Sequence, residues 1–155
     1  MCGIIGYKGK RNANEVVLNG LKKLEYRGYD SWGIASKKDS KIEIAKKVGK
    51  IGGVSLNELK LKPSNVAIAH TRWSTHGAVT ERNAHPQMSN NKKIAVVHNG
   101  IIENYQKLKK YLIEKGFEFK SETDTEIISN LIEYFTRKYE FEESVKKTLR
   151  MLEGS

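Results

Sequence analysis

The chain has 155 residues, 38% of them apolar and 30% charged, with one cysteine and a formal net charge of +10. That length allows one domain with a real core, and no apolar run is long enough to cross a bilayer as a helix. The basic residues come as scattered pairs (Lys22-Lys23, Lys37-Lys38, Lys46-Lys47, Lys92-Lys93, Lys109-Lys110), not as a block or a stripe interleaved with aromatics, which argues against a nucleic-acid surface and leaves attraction of anionic partners as the weaker reading. No basic-then-apolar leader opens the chain, and a single cysteine makes no internal disulfide, so a cytoplasmic protein without a membrane partner is expected.

In chain order, Gly3 to Gly9 reads as a first strand with Cys2 at its tip. Val16, Val17, Leu21 and Leu24 recur at helical spacing between Ala13 and Tyr26, with Asn12 or Asn14 to cap the helix and Gly28 to end it. Residues 32–36 and 41–48 read as two strands joined by a polar hairpin. A short helix is expected near 55–60, a buried strand over 65–70, a long loop over 71–91 and another buried strand over 94–97. Three helices follow. The first carries Ile101, Tyr105, Leu108 and Leu112 on one face, the second runs from Asp124, and the third spans about 142–152. Hairpins mixed with helices make the fold class α+β with largely antiparallel strands.

Polar residues crowd the ends of the apolar strands. Cys2, taken alone, reads as a buried thiol. If Met1 is lost, its free α-amine, which ordinarily titrates at ~7.7–8, would sit beside its own thiol, which titrates at ~8.5: a nucleophile and its base in one residue. Arg72, beside Trp73, Ser74, Thr75 and His76, offers a planar fork for a carboxylate or pairs with a structural acid, while Trp73 packs in the core. Asn99-Gly100 is either a two-residue hairpin turn or a pair of oxyanion donors. Thr123 and Glu126 have capping-box spacing, which puts Asp124 in the first helical turn, where a carboxylate is favoured and a ligand ammonium would find it. Histidines 70, 76, 85 and 98 show no helical pair spacing, and no second cysteine joins Cys2, so no metal is expected. A cysteine hydrolase with His98 or His76 as base is a second enzymatic reading.

Together these stretches carry a resemblance. Met1-Cys2-Gly3-Ile4, the run Leu24 to Ala35, His70 to Gly77, Asn83-Ala84-His85-Pro86, His98 to Asn104 and Ser121 to Glu126 resemble the class II glutamine amidotransferases, and among them the glutaminase domain of glutamine–fructose-6-phosphate aminotransferases. The resemblance implies an N-terminal-nucleophile hydrolase fold, with antiparallel sheets stacked between helical layers, and a single glutaminase domain over residues 1–155. It implies that Cys2 attacks the side-chain amide of L-glutamine while Asn99 and Gly100 hold the oxyanion. Arg72 would bind the substrate carboxylate, Asp124 its ammonium, and Thr75 and His76 would line the pocket. Trp73 would gate ammonia, and Arg27 would lie in a loop closing over substrate. No cofactor is implied. The implied partner is a sugar-phosphate isomerase domain that accepts the ammonia, with a homo-oligomer possible. Because such domains continue past residue 155, truncated sheets and either weak stability or association through open strand edges are expected. Another class II enzyme, such as an amidophosphoribosyltransferase, or a catalytically silent fragment are the alternatives.

Overall fold

The computed structural model describes residues 2–74 and 77–154. Strand β1 (Gly3–Lys8) leads into helix α1 (Ala13–Leu24), a 3-10 turn at Glu25–Arg27, and the hairpin of β2 (Ser31–Lys38) and β3 (Lys41–Val48). A 3-10 turn at Leu56–Leu59 precedes β4 (Val66–Arg72); then come β5 (Gln87–Met88), β6 (Ala95–Val96), and the helices α2 (Tyr105–Glu114), α3 (Thr125–Thr136) and α4 (Phe141–Met151). No helix among the described residues is long and apolar enough to cross a membrane. The chain divides into two compact units. One runs as far as Pro86 and takes in Val97–Asn99; the other holds Gln87–Val96 and the chain from Gly100 on.

The first unit is a four-stranded antiparallel sheet in the order β1-β4-β2-β3, with α1 packed on one face. Asn12 caps α1 by accepting the Asn14 N–H at 3.3 Å. The spacing of Val17, Leu18 and Leu21 puts all three on the helix face that is buried, with Trp32, Ile34, Ala67 and Ala69 in the same cluster. Alternation along β4 sends Ala67, Ala69 and Thr71 one way and Ile68, His70 and Arg72 the other. Gly33 pairs with His70 in the register, and a Cβ there would lie 2.2 Å from the His85 carbonyl oxygen. The face opposite α1 therefore carries His70 and Arg72, and at Gly33 the chain at His85 lies directly over the sheet.

In the second unit β5 and β6 form a two-stranded antiparallel sheet, and α2, α3 and α4 close a core of Ile102, Leu108, Leu112, Ile127 and Leu131. Helix α4 turns the buried Ser144 and Thr148 inward, whereas Phe141 and Leu149 are exposed.

The expected elements are present, with three corrections. Strand β4 reaches Arg72, so Thr71 and Arg72 belong to the sheet rather than to the loop that follows. The loop over 71–91 contains the short β5. Helix α2 begins at Tyr105, not Ile101. The N–H groups of Ile102 and Glu103 go instead to Asp124 Oδ2 (2.7 Å) and the Glu153 carbonyl (2.8 Å), so these residues are held by distant partners and not by a helical turn. Ile101 is accordingly exposed, and of the four residues expected on one helix face only Leu108 and Leu112 are buried.

Candidate active site

In the first unit the antiparallel pairing of β1 and β4 sets Gly3 opposite Thr71, and the Gly3 N–H donates to Thr71 Oγ1 at 3.1 Å. That register carries Cys2, one residue earlier, to the chain just beyond Arg72. The Trp73 N–H donates to Cys2 Sγ at 3.4 Å, and the thiol faces the Trp73 carbonyl at 3.8 Å. The Asn99 side-chain amide reaches the Cys2 carbonyl at 3.5 Å. Cys2 is half-buried, so the thiol is neither sealed in a core nor fully in solvent.

Arg72 is buried, and its Nη1 donates to the Ala78 carbonyl at 3.3 Å, an oxygen that also accepts from Asn83 Nδ2 at 3.0 Å. Trp73 is not a core residue: it is 44% exposed and meets Tyr29 edge-on at 5.2 Å. The tryptophan in the core is Trp32. Arg27 stands in the 3-10 turn after α1 and bonds its neighbour Tyr26 through Nε at 3.3 Å. That turn ends at Gly28, where a Cβ would come within 2.7 Å of the Arg72 carbonyl carbon, so the turn abuts the Arg72–Trp73 backbone. Asp30 fixes the same strand end from the other side, with the Ser74 N–H donating to its Oδ2 and its own N–H donating to the Arg72 carbonyl. Gly28 read from the sequence only as a helix stop, and Asp30 did not stand out by composition or spacing. Thr75 and His76 lie outside the described residues.

Beneath this edge His70 and His85 are buried against each other, ring centroids 4.3 Å apart. The His70 Nε2 sits 3.2 Å from the His98 carbonyl, and since a carbonyl only accepts, Nε2 carries the proton. Desolvation lowers the His70 pKa from 6.5 to about 4, against the His98 bond that raises it and with the charge of Arg72 adding to the fall. His85 is pushed down further, first by burial and then by His70, Lys46 and Arg72. Both are therefore neutral at pH 7.

In the second unit, Gly100 is exposed. Neither Asn99 nor Gly100 has positive φ, and no strand leaves Gly100, which rules out the tight hairpin turn expected as one reading of this pair. Asp124 is the N-cap of α3 and accepts the Ile102 N–H at 2.7 Å through Oδ2. The expected capping box of Thr123 and Glu126 does not form. The buried Glu126 carboxylate turns back past the cap and accepts from the N–H groups of Lys120 (3.0 Å) and Ser121 (2.7 Å) and from the Ser121 hydroxyl (2.7 Å). It folds the approach to Asp124 instead of the start of the helix.

Residues 53–141 match the family described as the glutamine amidotransferase domain. The chain belongs to this family. This glutamine amidotransferase domain is 48% identical over 157 residues to a glutamine–fructose-6-phosphate aminotransferase (isomerizing) of Clostridium perfringens, which aligns with all of the chain and 25% of that protein. To the protein of the same name from Pyrococcus horikoshii it is 52% identical over 158 residues, with 26% of that protein covered. The domain thus spans about a quarter of the length of the curated relatives it matches. Among solved structures it superposes on the glutamine phosphoribosylpyrophosphate amidotransferase of B. subtilis, described as complexed with ADP and GMP, with a TM-score of 0.82 and 29% identity, covering 99% of this chain and 33% of the other. A structure described as the allosteric regulatory enzyme of purine biosynthesis gives 0.86 and 30%, covering 100% and 34%. The amidotransferase domain has the α+β fold with antiparallel sheets expected from its sequence, and its structural neighbours are the N-terminal-nucleophile amidotransferases that the resemblance implied.

Proposed function

We propose that residues 1–155 form one glutaminase domain that hydrolyses the side-chain amide of L-glutamine to glutamate and ammonia, with Cys2 as nucleophile. After loss of Met1, the Cys2 thiolate attacks the amide carbon. The oxyanion is held by the Asn99 side-chain amide and the Gly100 N–H. The Cys2 α-amine passes a proton to the departing ammonia, a γ-glutamyl thioester remains, and water releases glutamate. Arg72 binds the substrate carboxylate and Asp124 its ammonium, a pairing of charges that matches a zwitterion and rejects analogues lacking either group. Thr75 and His76 line the same pocket, Trp73 gates ammonia, and Arg27 belongs to a turn that closes on substrate.

The observation that carries this reading is the meeting of Cys2 Sγ with the Trp73 backbone and of Asn99 with Cys2, in a chain of the glutamine amidotransferase family. Identity near 50% to aminotransferases named for fructose 6-phosphate, against 29% for the phosphoribosylpyrophosphate enzyme, favours fructose 6-phosphate over phosphoribosyl pyrophosphate as the final ammonia acceptor. The acceptor partner is then a sugar-phosphate isomerase domain, and the setting is the cytoplasm, with neither nucleic acid nor membrane as partner and with self-association through strand edges.

The test is to incubate the protein with an electrophilic glutamine analogue, locate the adduct by mass spectrometry, and read in the same spectrum whether the chain starts at Met1 or Cys2. Labelling of Cys2, glutamate release by the same sample, and loss of both in Cys2→Ala are expected. A free N-terminal Cys2 that takes no label and releases no glutamate refutes the proposal. Activity that survives retention of Met1 favours a histidine base instead.

A further inference from the structure

The second unit contains a clasp whose position ties it to the site. Asn104 spends its whole side-chain amide on one short stretch of backbone: Nδ2 donates to the Met151 carbonyl at 2.8 Å, and Oδ1 accepts the Glu153 N–H at 3.2 Å. A side chain bonded to backbone groups two residues apart behaves like one more rung of a strand pair. The rungs beside it are backbone. The Glu103 N–H donates to the Glu153 carbonyl at 2.8 Å, and Ile102 forms an antiparallel bridge with Gly154. Gly154 is required there on two counts. Its φ is +111°, a region open to glycine and closed to most other residues, and a Cβ would lie 2.2 Å from the Ile101 carbonyl oxygen.

The segment gripped in this way is the one that follows Gly100. Its Ile102 N–H, on a residue 2% exposed, is the group that holds Asp124 Oδ2 at 2.7 Å. Met151–Gly154 thus holds 102–104 by four bonds and contacts, and 102 in turn aims Asp124. Neither end of the clasp reaches substrate in the proposed reaction, and neither Asn104 nor Gly154 belongs to the apolar cluster of the helical core.

We infer that Asn104 and Gly154 are positioning residues for glutamine binding: by docking Met151–Gly154 against residues 102–104 they fix the Ile102 N–H that orients the Asp124 carboxylate. The inference rests on the proposed role of Asp124 toward the substrate ammonium. That carboxylate meets the ammonium in the ground state and the transition state alike, so its misplacement raises KM more than it lowers kcat.

Asn104→Ala and Gly154→Ala disturb the clasp from its two sides. Each is compared with the wild type for KM and kcat toward L-glutamine, normalised to the fraction of Cys2 that an electrophilic glutamine analogue labels, and for amide hydrogen exchange at Ile102. Loss of a well-placed bond to a carboxylate is expected to raise KM about tenfold in both variants, with kcat per labelled site changed much less. Exchange at Ile102 accelerates in parallel. A merely destabilised variant would lose labelled sites and keep its KM. An unchanged KM with unchanged Ile102 exchange overturns the inference, and so does faster exchange with an unchanged KM, which would break the link from clasp to site. A wild-type protein that neither hydrolyses nor binds glutamine overturns the functional reading and this inference with it.

Discussion

Acidification should destabilise the first unit through its buried histidines. His70 and His85 are buried against each other with ring centroids 4.3 Å apart. An extra proton there meets Arg72 and His98 around His70, and Lys46 as well around His85. In the unfolded chain both rings titrate near 6.5, whereas His70 in the fold does so at about 4 and His85 lower still. The folded pKa lies below the unfolded one, so between 6.5 and 4 the unfolded state binds more protons and stability rises with pH. The contribution is complete above about pH 7 and is lost as pH falls. Linkage with these values gives a loss of about 2 kcal/mol between pH 7 and pH 5 for each histidine, or about 4 kcal/mol for the pair. Urea unfolding at the two pH values measures it, with His70→Gln as the control that should remove about half of the slope. Equal stability at pH 7 and pH 5, or an unchanged slope in His70→Gln, would refute the reasoning.

Two further perturbations test the scaffold. Gly33→Ala should cost about 1–3 kcal/mol in thermal or urea unfolding, because its Cβ would meet the His85 carbonyl at 2.2 Å and the Ala45 carbonyl at 3.0 Å, both backbone atoms. Gly6→Ala in the same sheet meets nothing closer than Ile68 Cγ2 at 3.8 Å and should be close to neutral; equal costs for the two would contradict the packing described for Gly33. Glu126→Gln places an amide where one carboxylate takes three donors from Lys120 and Ser121, and should cost about 2–4 kcal/mol by leaving buried donors unpaired. The same variant should speed hydrogen exchange at Ser121, and an unchanged exchange rate would show that the carboxylate does not hold this loop.

Much of the fold follows from local pattern. The 3.6-residue period of Val17, Leu21 and Leu24, the alternation in 41–48 and the apolar run at 66–70 report burial that each segment carries in its own sequence, so α1, β3 and β4 were legible to within a few residues. The family was legible too, because its motifs keep their order and spacing in the chain. What local pattern misjudged were places where a backbone donor found a distant partner. Ile101 has helical spacing to Tyr105 and Leu108, yet the Ile102 and Glu103 N–H groups go to Asp124 and to the Glu153 carbonyl, which holds this stretch extended ahead of α2. Thr123 and Glu126 have capping-box spacing, yet the folding back of Lys120 and Ser121 offers Glu126 three donors in place of one. Asp30 gave no signal and Gly28 read only as a helix stop, since a close approach of chain segments leaves no period in either.

By itself, then, the sequence determined most of the helices and strands, that the strands are antiparallel, and which family the chain belongs to. Tertiary structure alone decided what lies beside Cys2. Trp73 is 71 positions away along the chain, and only the register of β1 on β4, with Gly3 opposite Thr71, brings its N–H to the thiol. A shift of one residue would turn every side chain of β1 to the other face, and the thiol would lose that partner. The hydrophobic pattern specifies that the strands pair; the packing of the whole sheet against α1 selects the register.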